Sequence, residues 1–270
     1  MIHVELVKML RRPRTWVIIV MLNLLPTLVA VLLALTDLAP GPGEGPPFLS
    51  AVLSDGTLFP LAALGVVLPL FLPIAVAVLG GDAVAGEIQT GTLRYLLVRP
   101  VGRAHLLVAK LVTVVVFVII AVLVVAAVSA VEGRLLLGRS TTPGTVSLSG
   151  STLTPGELAW RTAAALAYVI VSMLGVAAIA LFFSTLTTSS IAAALGTVGL
   201  LIASTVLLGL DAAESLHPFL PTRYWLAFVD LFRDPVLWHD VVRGLLVQLG
   251  YLLVFSLAAW ANFATADIDD

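Results

Sequence analysis

Hydrophobic residues dominate five long stretches of the chain that contain no Asp, Glu, Lys, Arg or His. These stretches are residues 15–36, 56–81, 111–131, 162–210 and 244–266. Since a membrane-spanning helix needs about 20 mostly apolar residues, each of the four shorter stretches predicts one span. The longest stretch has 49 residues, and its polar residues 184–190 predict a tight turn between two spans. One long tilted helix is the alternative there.

The predicted fold class is therefore all-α integral membrane, with six transmembrane helices in a single domain over residues 1–270. The predicted spans are residues 15–36, 57–81, 108–131, 161–183, 191–210 and 244–264. The remaining predicted segments are an N-terminal in-plane amphipathic helix at 1–14, a cytoplasmic segment at 82–107 and an outer loop at 211–243. Pro69 and Pro73 are one helical turn apart and are expected to bend the second span.

The composition agrees with a membrane protein and excludes several other classes. Hydrophobic residues make up 60% of the 270-residue chain and charged residues 11%, and the mean hydropathy is +1.12. A soluble domain has about 25% charged residues, so this chain has too much apolar surface for one water-soluble core. The same proportions exclude a disordered or coiled-coil chain. The absence of cysteine excludes disulfides, thiolate metal sites and cysteine nucleophiles.

The basic residues predict the orientation of the spans. Residues 37–55 contain no Lys or Arg, whereas residues 82–110 contain four. Because basic loops stay on the cytoplasmic side, both termini are predicted to be cytoplasmic. The first apolar run is longer than that of a signal peptide, which predicts an uncleaved first span. The excess of Arg over Lys is typical of a GC-rich bacterial genome, so we expect a multi-pass protein of the bacterial cytoplasmic (inner or plasma) membrane.

The uncharged spans argue against intramembrane chemistry in this chain. Proton-coupled carriers and intramembrane enzymes need an ionisable or metal-binding group inside the membrane. The four histidines lie outside the predicted spans and lack metal-ligand spacing. A phosphate-binding loop needs Lys after Gly, but Lys8 and Lys110 follow Val7 and Ala109. We therefore expect no catalytic, cofactor-binding or metal-binding residue, and any energy to come from a partner.

The first 14 residues predict a helix on the inner membrane surface. One face is apolar, the flanking or opposite face is basic, and Pro13 ends the helix before the first span. The apolar residues are Ile2, Leu6, Met9 and Leu10, and the basic residues are Lys8, Arg11 and Arg12. A basic end that only sets the topology is the alternative.

Residues 82–110 predict a helix, a break and a second short helix. The second span is expected to continue as a helix through Glu87 and to break at Gly91. Thr92 can cap a new helix, which Pro100 then stops. This shape suits docking into a groove of a cytosolic partner. Ordinary boundary charges around a Gly/Pro turn are the alternative.

The order of residues in this segment resembles that in the membrane subunits of type-2 ATP-binding-cassette exporters. The matching residues are Asp82, Glu87, Gly91-Thr92-Leu93-Arg94, Leu96-Leu97, Arg99-Pro100, Arg103 and Lys110. In topology the resemblance covers essentially the whole chain, from an in-plane helix through six spans to an amphipathic stretch before the last span.

The resemblance implies that residues 82–103 form the coupling element that contacts an ATPase. The implied interface residues are Asp82, Glu87, Gly91, Thr92, Leu93, Arg94, Leu97, Pro100 and Arg103. Among them, Glu87 and Arg94 are the implied polar contacts, and Leu93 and Leu97 the apolar ones.

The outer loop predicts one further helix before the last span. Its residues Trp225, Phe228, Val229 and Phe232 fall on one helical face, which is typical of an interfacial or re-entrant helix. The exporter family has re-entrant segments at this place. A simple surface helix is the alternative.

The function implied by the resemblance is that of a permease subunit that forms the pathway for ATP-driven export. Two copies of a separate nucleotide-binding subunit would bind ATP and Mg²⁺, and a second permease subunit, identical or homologous, would complete the complex. Membrane lipid is a further expected partner, and nucleic acid is not expected as one. The uncharged spans favour an apolar or amphiphilic solute. The alternatives are an ion-coupled carrier with a site of backbone carbonyls and a non-transporting membrane scaffold that docks an ATPase.

Overall fold

The computed structural model describes residues 2–35, 56–91, 102–137, 145–146 and 151–265, which are almost entirely helical. The helices are α1 (Ile2–Arg11), α2 (Pro13–Leu35), α3 (Phe59–Val67), α4 (Phe71–Gln89), α5 (Arg103–Glu132), α6 (Pro155–Leu186), α7 (Ser190–Leu208) and α8 (Trp238–Thr265). A 3₁₀ turn (Gly56–Leu58) precedes α3, and a π turn (Gly133–Leu137) extends α5. A small antiparallel hairpin pairs β1 (Thr145–Val146) with β2 (Thr152–Leu153).

Six of these helices, α2 and α4 to α8, are long and apolar enough to cross a membrane. This confirms the predicted all-α class at the level of helix number, length and hydropathy. The outward surfaces of these helices carry large exposed apolar side chains, including Leu24 on α2, Leu195 on α7 and Leu253 on α8. A lipid bilayer accommodates such surfaces, because its core is as apolar as the side chains and every helix satisfies its own backbone groups.

The stretch predicted as the second span, 57–81, contains two helices rather than one bent helix. The chain breaks between α3 and α4 at residues 68–70. Pro69 has no N–H to continue the first helix, while Pro73 lies in the first turn of α4, where no intrahelical N–H bond is needed. As a result α3 is too short to span a membrane, and the spanning helix α4 lies further along the chain than predicted.

Several helices also extend beyond the predicted spans. α4 continues through residues 82–89, α5 begins at Arg103, α6 at Pro155 and α8 at Trp238. The segment predicted at 82–107 and the loop predicted at 211–243 are correspondingly shorter. The predicted spans end near charged residues. Several of these, such as Asp82, Glu87 and Arg161, have partners inside the protein, so the helices continue through them.

Residues 162–210 form two helices, α6 and α7, separated by residues 187–189. Ser189 caps α7, because its side chain accepts a hydrogen bond from the backbone N–H of Ala192 at 3.3 Å. α6 is the central helix of the bundle and contacts α4, α5, α7 and α8. Its buried side chains include Tyr168 and Met173, which pack in the main hydrophobic core.

The cap segment, residues 211–232, covers one end of the bundle. It consists of two 3₁₀ helices, Asp211–Phe219 and Trp225–Phe232, and the second packs on α6 and α8. Because a 3₁₀ helix has three residues per turn, Trp225, Phe228 and Leu231 align on one buried face. The sequence analysis predicts an α-helix with 3.6 residues per turn and therefore places Val229 on that face. In the 3₁₀ helix, Leu231 lies there instead.

Three polar side chains hold the cap segment on the bundle. Arg161 of α6 is buried and donates to the carbonyl oxygens of Leu231 at 3.2 Å and Arg233 at 2.9 Å. The two other anchoring bonds run from Tyr168 Oη to the Tyr224 carbonyl oxygen at 2.6 Å and from Gln248 Nε2 to the Pro221 carbonyl oxygen at 2.7 Å. The predicted interfacial helix is thus a segment tied to α6 and α8 through its backbone carbonyls.

Replacing Gly244 of α8 by alanine is expected to destabilise the protein. The new Cβ would collide with the hydroxyl of Tyr168 and lie 2.8 Å from the Cβ of Tyr224, so the bond between these tyrosines would break. Overpacking of this kind costs about 1–3 kcal/mol. On the same helix, Gly250 has open space around its Cβ position, so Gly250→Ala is expected to stabilise the helix by up to about 1 kcal/mol. If both variants shifted the unfolding midpoint in the same direction, this packing would be contradicted.

Candidate functional site

Glu87 lies at the centre of a group of charged side chains at the end of the bundle that carries α1. Its side chain is 3% exposed and accepts a hydrogen bond from Lys8 Nζ at 2.6 Å. Lys110 near the start of α5 donates to the same carboxylate oxygen and also to Glu5 Oε2 of α1 at 2.8 Å. A buried Lys–Glu pair is stable only with such additional partners, because its desolvation is costly.

Asp82, near Glu87 on α4, binds the start of α2 and the start of α7. Its carboxylate accepts from Arg12 at 2.9 Å and Arg14 at 2.5 Å, and from the hydroxyl of Ser190 at 2.9 Å. We refer to these two groups of ion pairs, one around Glu87 and one around Asp82, together as the amino-terminal ion cluster. Its members are Glu5, Lys8, Arg12, Arg14, Asp82, Glu87 and Lys110. The cluster connects α1, α2, α4 and α5 at one end of the molecule.

The face that α1 turns toward the bundle combines charged side chains with the core residue Met9. Glu5 and Met9 are buried, whereas Ile2 and Leu10 are exposed. The sequence prediction of an apolar and a basic face was therefore incomplete, because it left out Glu5. Glu5 and Lys8, at positions i and i+3 of one helix face, bind Lys110 of α5 and Glu87 of α4, and they draw the basic side of α1 inward. The apolar side remains free to face lipid.

Ser184 fastens the end of α6 to α4 between the two carboxylates. Its hydroxyl donates to the carbonyl oxygen of Gly81 at 2.7 Å and accepts from the N–H groups of Val84 and Ala85 at 3.0 and 2.9 Å. Sequence reasoning had assigned this serine to the turn between two spans and had missed both it and Glu5. In the sequence, Ser184 is a hydroxyl residue at the end of a predicted span. Such residues are too common at span ends for the sequence to single out this contact.

The predicted coupling residues are distributed over two regions. Asp82 and Glu87 belong to the amino-terminal ion cluster, and Gly91 has φ +68°, a left-handed conformation that favours glycine and ends α4 as predicted. Arg103 is the first residue of α5. The other predicted interface residues, Thr92, Leu93, Arg94, Leu97 and Pro100, lie outside the described residues.

Glu87, an implied polar contact to an ATPase, has its carboxylate buried against Lys8 and Lys110. Its contact with an ATPase stays a prediction. A side chain held in this way positions the ends of α4 and α5. Within the described part of the chain, the cluster fixes the end of α4 relative to the start of α5.

A protein-family model matches residues 46–268, which are most of the chain. The matching family is described as Protein of unknown function (DUF2705). The chain belongs to this DUF2705 family. None of the curated proteins matches it. The matched range includes Asp82, Glu87 and Lys110 of the ion cluster and the whole cap segment, while α1 and α2 precede it.

Proposed function

We propose that this chain is the permease subunit of an ATP-binding-cassette exporter in the bacterial cytoplasmic membrane. In this proposal a separate nucleotide-binding subunit, present in two copies, hydrolyses ATP. Two permease subunits, identical or homologous, form the pathway for an apolar or amphiphilic solute. Residues 82–103 form the docking segment for the ATPase, and the amino-terminal ion cluster transmits its movement to the helix bundle.

The observation that carries this proposal is the bonding around Glu87. Residues 92–101 are flanked by the end of α4 and the start of α5, and the contact between Glu87 and Lys110 joins these two helices. Lys8 adds α1 to the same carboxylate. A displacement of the segment would therefore move three helices together instead of bending one loop. A network of ion pairs of this kind is one physical route by which movement can reach a helix bundle.

The distribution of charge supports the orientation and the external energy source. Lys8, Arg12, Arg14 and Lys110 gather at the cluster end of the bundle, which favours a cytoplasmic position for that end. Charged residues of α4, α5, α6 and α8 lie toward the helix ends, and residues 162–210 of α6 and α7 contain none. This pattern favours a partner ATPase over a carrier that uses an ionisable group in mid-membrane.

The test of this function is reconstitution of the full chain in liposomes with the ATPase that co-purifies from its native membranes. We expect ATP hydrolysis that depends on the chain, together with ATP-driven movement of a fluorescent amphiphile. Solute movement that follows an ion gradient without ATP would instead identify a carrier. ATP hydrolysis without movement of any tested solute would favour the alternative function, a non-transporting membrane scaffold that docks an ATPase.

Gly91→Val is expected to lower the chain-dependent ATP hydrolysis about tenfold, because a β-branched residue at φ +68° costs roughly 1–2 kcal/mol and misdirects the docking segment. The matched control is Gly102→Val. Gly102 precedes α5 at the other end of the segment, has φ −60° and has open space around its Cβ position. Equal hydrolysis rates for the two variants would refute the proposal that the conformation of Gly91, at the end of α4, directs the docking segment.

A further inference from the structure

The basic side chains at the junction of α1 and α2 outnumber the acidic groups that pair with them. Arg12 and Arg14 both donate to Oδ2 of Asp82, at 2.9 and 2.5 Å. Among the described residues these are the only ion pairs of the two guanidinium groups, and a single carboxylate neutralises only one of their two charges. Each guanidinium has further N–H donors, and both side chains are 42% exposed. The pair therefore keeps a positive charge and several donors at the surface.

Arg11, the last residue of α1, adds a second uncompensated charge at the same place. Its side chain is exposed, and within the part of the chain that the structure describes it takes part in no ion pair. Around Glu87 the charges balance, since the two lysines there face two glutamates. The excess of positive charge at this end of the bundle is thus concentrated at residues 11–14.

The outward face of α1 combines this charge with apolar side chains. Val4 and Leu10 are exposed, and Val7 is half-buried. Residues 4, 7 and 11 follow helical spacing, so Arg11 ends the face that Val4 begins. An apolar face that carries basic residues is typical of a helix in the interface of an anionic membrane.

Trp16 places the junction at the level of the lipid headgroups. Its ring is half-exposed, and its Nε1 donates to the carbonyl oxygen of Leu10 at 2.8 Å. Exposed tryptophans at the ends of spans lie at the membrane–water interface. Arg14 precedes Trp16 in α2 by about 3 Å along the helix axis, and the uncharged stretch begins at residue 15. The arginines therefore lie beside the interface and outside the hydrocarbon core.

We propose that the junction of α1 and α2 binds the headgroup of an anionic phospholipid, one whose phosphodiester is not balanced by a headgroup cation. The phosphate oxygens accept hydrogen bonds from Arg11 and from the remaining N–H groups of Arg12 and Arg14. The acyl chains extend along the start of α2, where Val17 and Val20 are exposed. A soluble phosphate would use the arginines but not these apolar surfaces. The proposal does not need the transport function, because it rests on charge and exposure at this end of the bundle.

The test compares the full chain in nanodiscs of phosphatidylcholine with and without phosphatidylglycerol. Both headgroups contain a phosphodiester, but in phosphatidylcholine the choline cation balances it. Each basic side chain near an anionic surface strengthens binding about fivefold, so the wild-type chain, with two uncompensated charges, should retain phosphatidylglycerol over phosphatidylcholine about twenty-fivefold in native mass spectrometry. The unfolding temperature should rise with phosphatidylglycerol, and this rise should shrink in about 1 M salt, which screens the attraction.

Arg11→Gln removes a charge that no described residue balances, so the fold should be unaffected. The variant should lower the retention ratio about fivefold and leave the unfolding temperature in pure phosphatidylcholine unchanged. The matched control is Arg243→Gln on α8. Arg243 is also exposed, but Asp240 lies one helical turn before it and offsets its charge. The control changes the net charge of the chain equally and should leave the retention ratio unchanged.

Three results would overturn the proposal. One is equal retention of the two lipids by the wild-type chain, a measurement that requires no variant. Another is a fall in the retention ratio that is as large for Arg243→Gln as for Arg11→Gln, because the net charge of the chain would then explain the preference. The third is equal stabilisation by soluble glycerol phosphate in phosphatidylcholine nanodiscs, because the ligand would then be a free anion and not a lipid.

Discussion

Glu87→Ala is expected to lower the free energy of unfolding by about 3–5 kcal/mol, the usual cost of removing one partner of a buried ion pair. The side chain of Lys110 is 4% exposed and shares Glu87 with Lys8. Without the carboxylate of Glu87, Lys110 keeps Glu5 as its one charged partner among the described residues, and the contact between α4 and α5 loses its polar centre. Unfolding of the purified chain in mixed micelles measures this loss.

The control for this prediction is Asp240→Asn. Asp240 pairs with His239, and its side chain is 53% exposed, so the change should cost less than about 1 kcal/mol. Combining Glu5→Leu and Glu87→Leu with Lys110→Met should recover a large part of the loss, because all three buried charges are then absent. A Glu87→Ala variant as stable as Asp240→Asn would show that the amino-terminal ion cluster does not hold the helices together.

Arg161→Met is expected to destabilise the protein by about 3 kcal/mol and to loosen the cap segment. The guanidinium donates to the carbonyl oxygens of Leu231 and Arg233, and hydrogen bonds from a charged donor contribute about 1.5–3 kcal/mol each. Methionine keeps much of the apolar stem but has no donor. Hydrogen exchange of residues 225–232 should therefore become faster, in addition to the fall in the unfolding midpoint.

Arg223→Met is the matched control for the cap segment. Arg223 is exposed and lies over the ring of Tyr224 at 5.5 Å, a contact that contributes about 0.5–1 kcal/mol at an exposed site. We expect little change in stability and none in the exchange of residues 225–232. If Arg161→Met left the exchange of these residues unchanged, the backbone carbonyl contacts would not be what anchors the segment.

The spanning helices could be predicted because a single physical requirement defines them. About 20 apolar residues are needed to cross a bilayer, and the uncharged stretches of the sequence meet this requirement. The break before α4 was harder to predict from the sequence. Pro69 and Pro73 are both visible in the sequence, but only the structure shows that Pro69 ends one helix while Pro73 is accommodated at the start of the next.

The amino-terminal ion cluster could not be predicted from the sequence. Its contacts join residues far apart in the chain, such as Glu5 with Lys110 and Lys8 with Glu87. Charges at the ends of apolar stretches are expected to face water, and nothing local distinguishes a buried pair from a solvated one. Because a charge beside an apolar stretch is expected to face water, the sequence places Glu132 just beyond the predicted third span. In the structure its carboxylate accepts a hydrogen bond from Thr27 of α2.

The measurement that tests the proposed permease most directly is cross-linking from residue 97 of the docking segment. The native sequence has no cysteine, so Leu97→Cys carries the one thiol of the chain and can bear a photoreactive group. We predict an adduct with a subunit whose peptides contain the Gly-Lys-Ser or Gly-Lys-Thr phosphate-binding loop, and none from Gly250→Cys on α8. The proposal would be contradicted if residue 97 formed no such adduct, or if its thiol reacted with a membrane-impermeant reagent added outside intact cells.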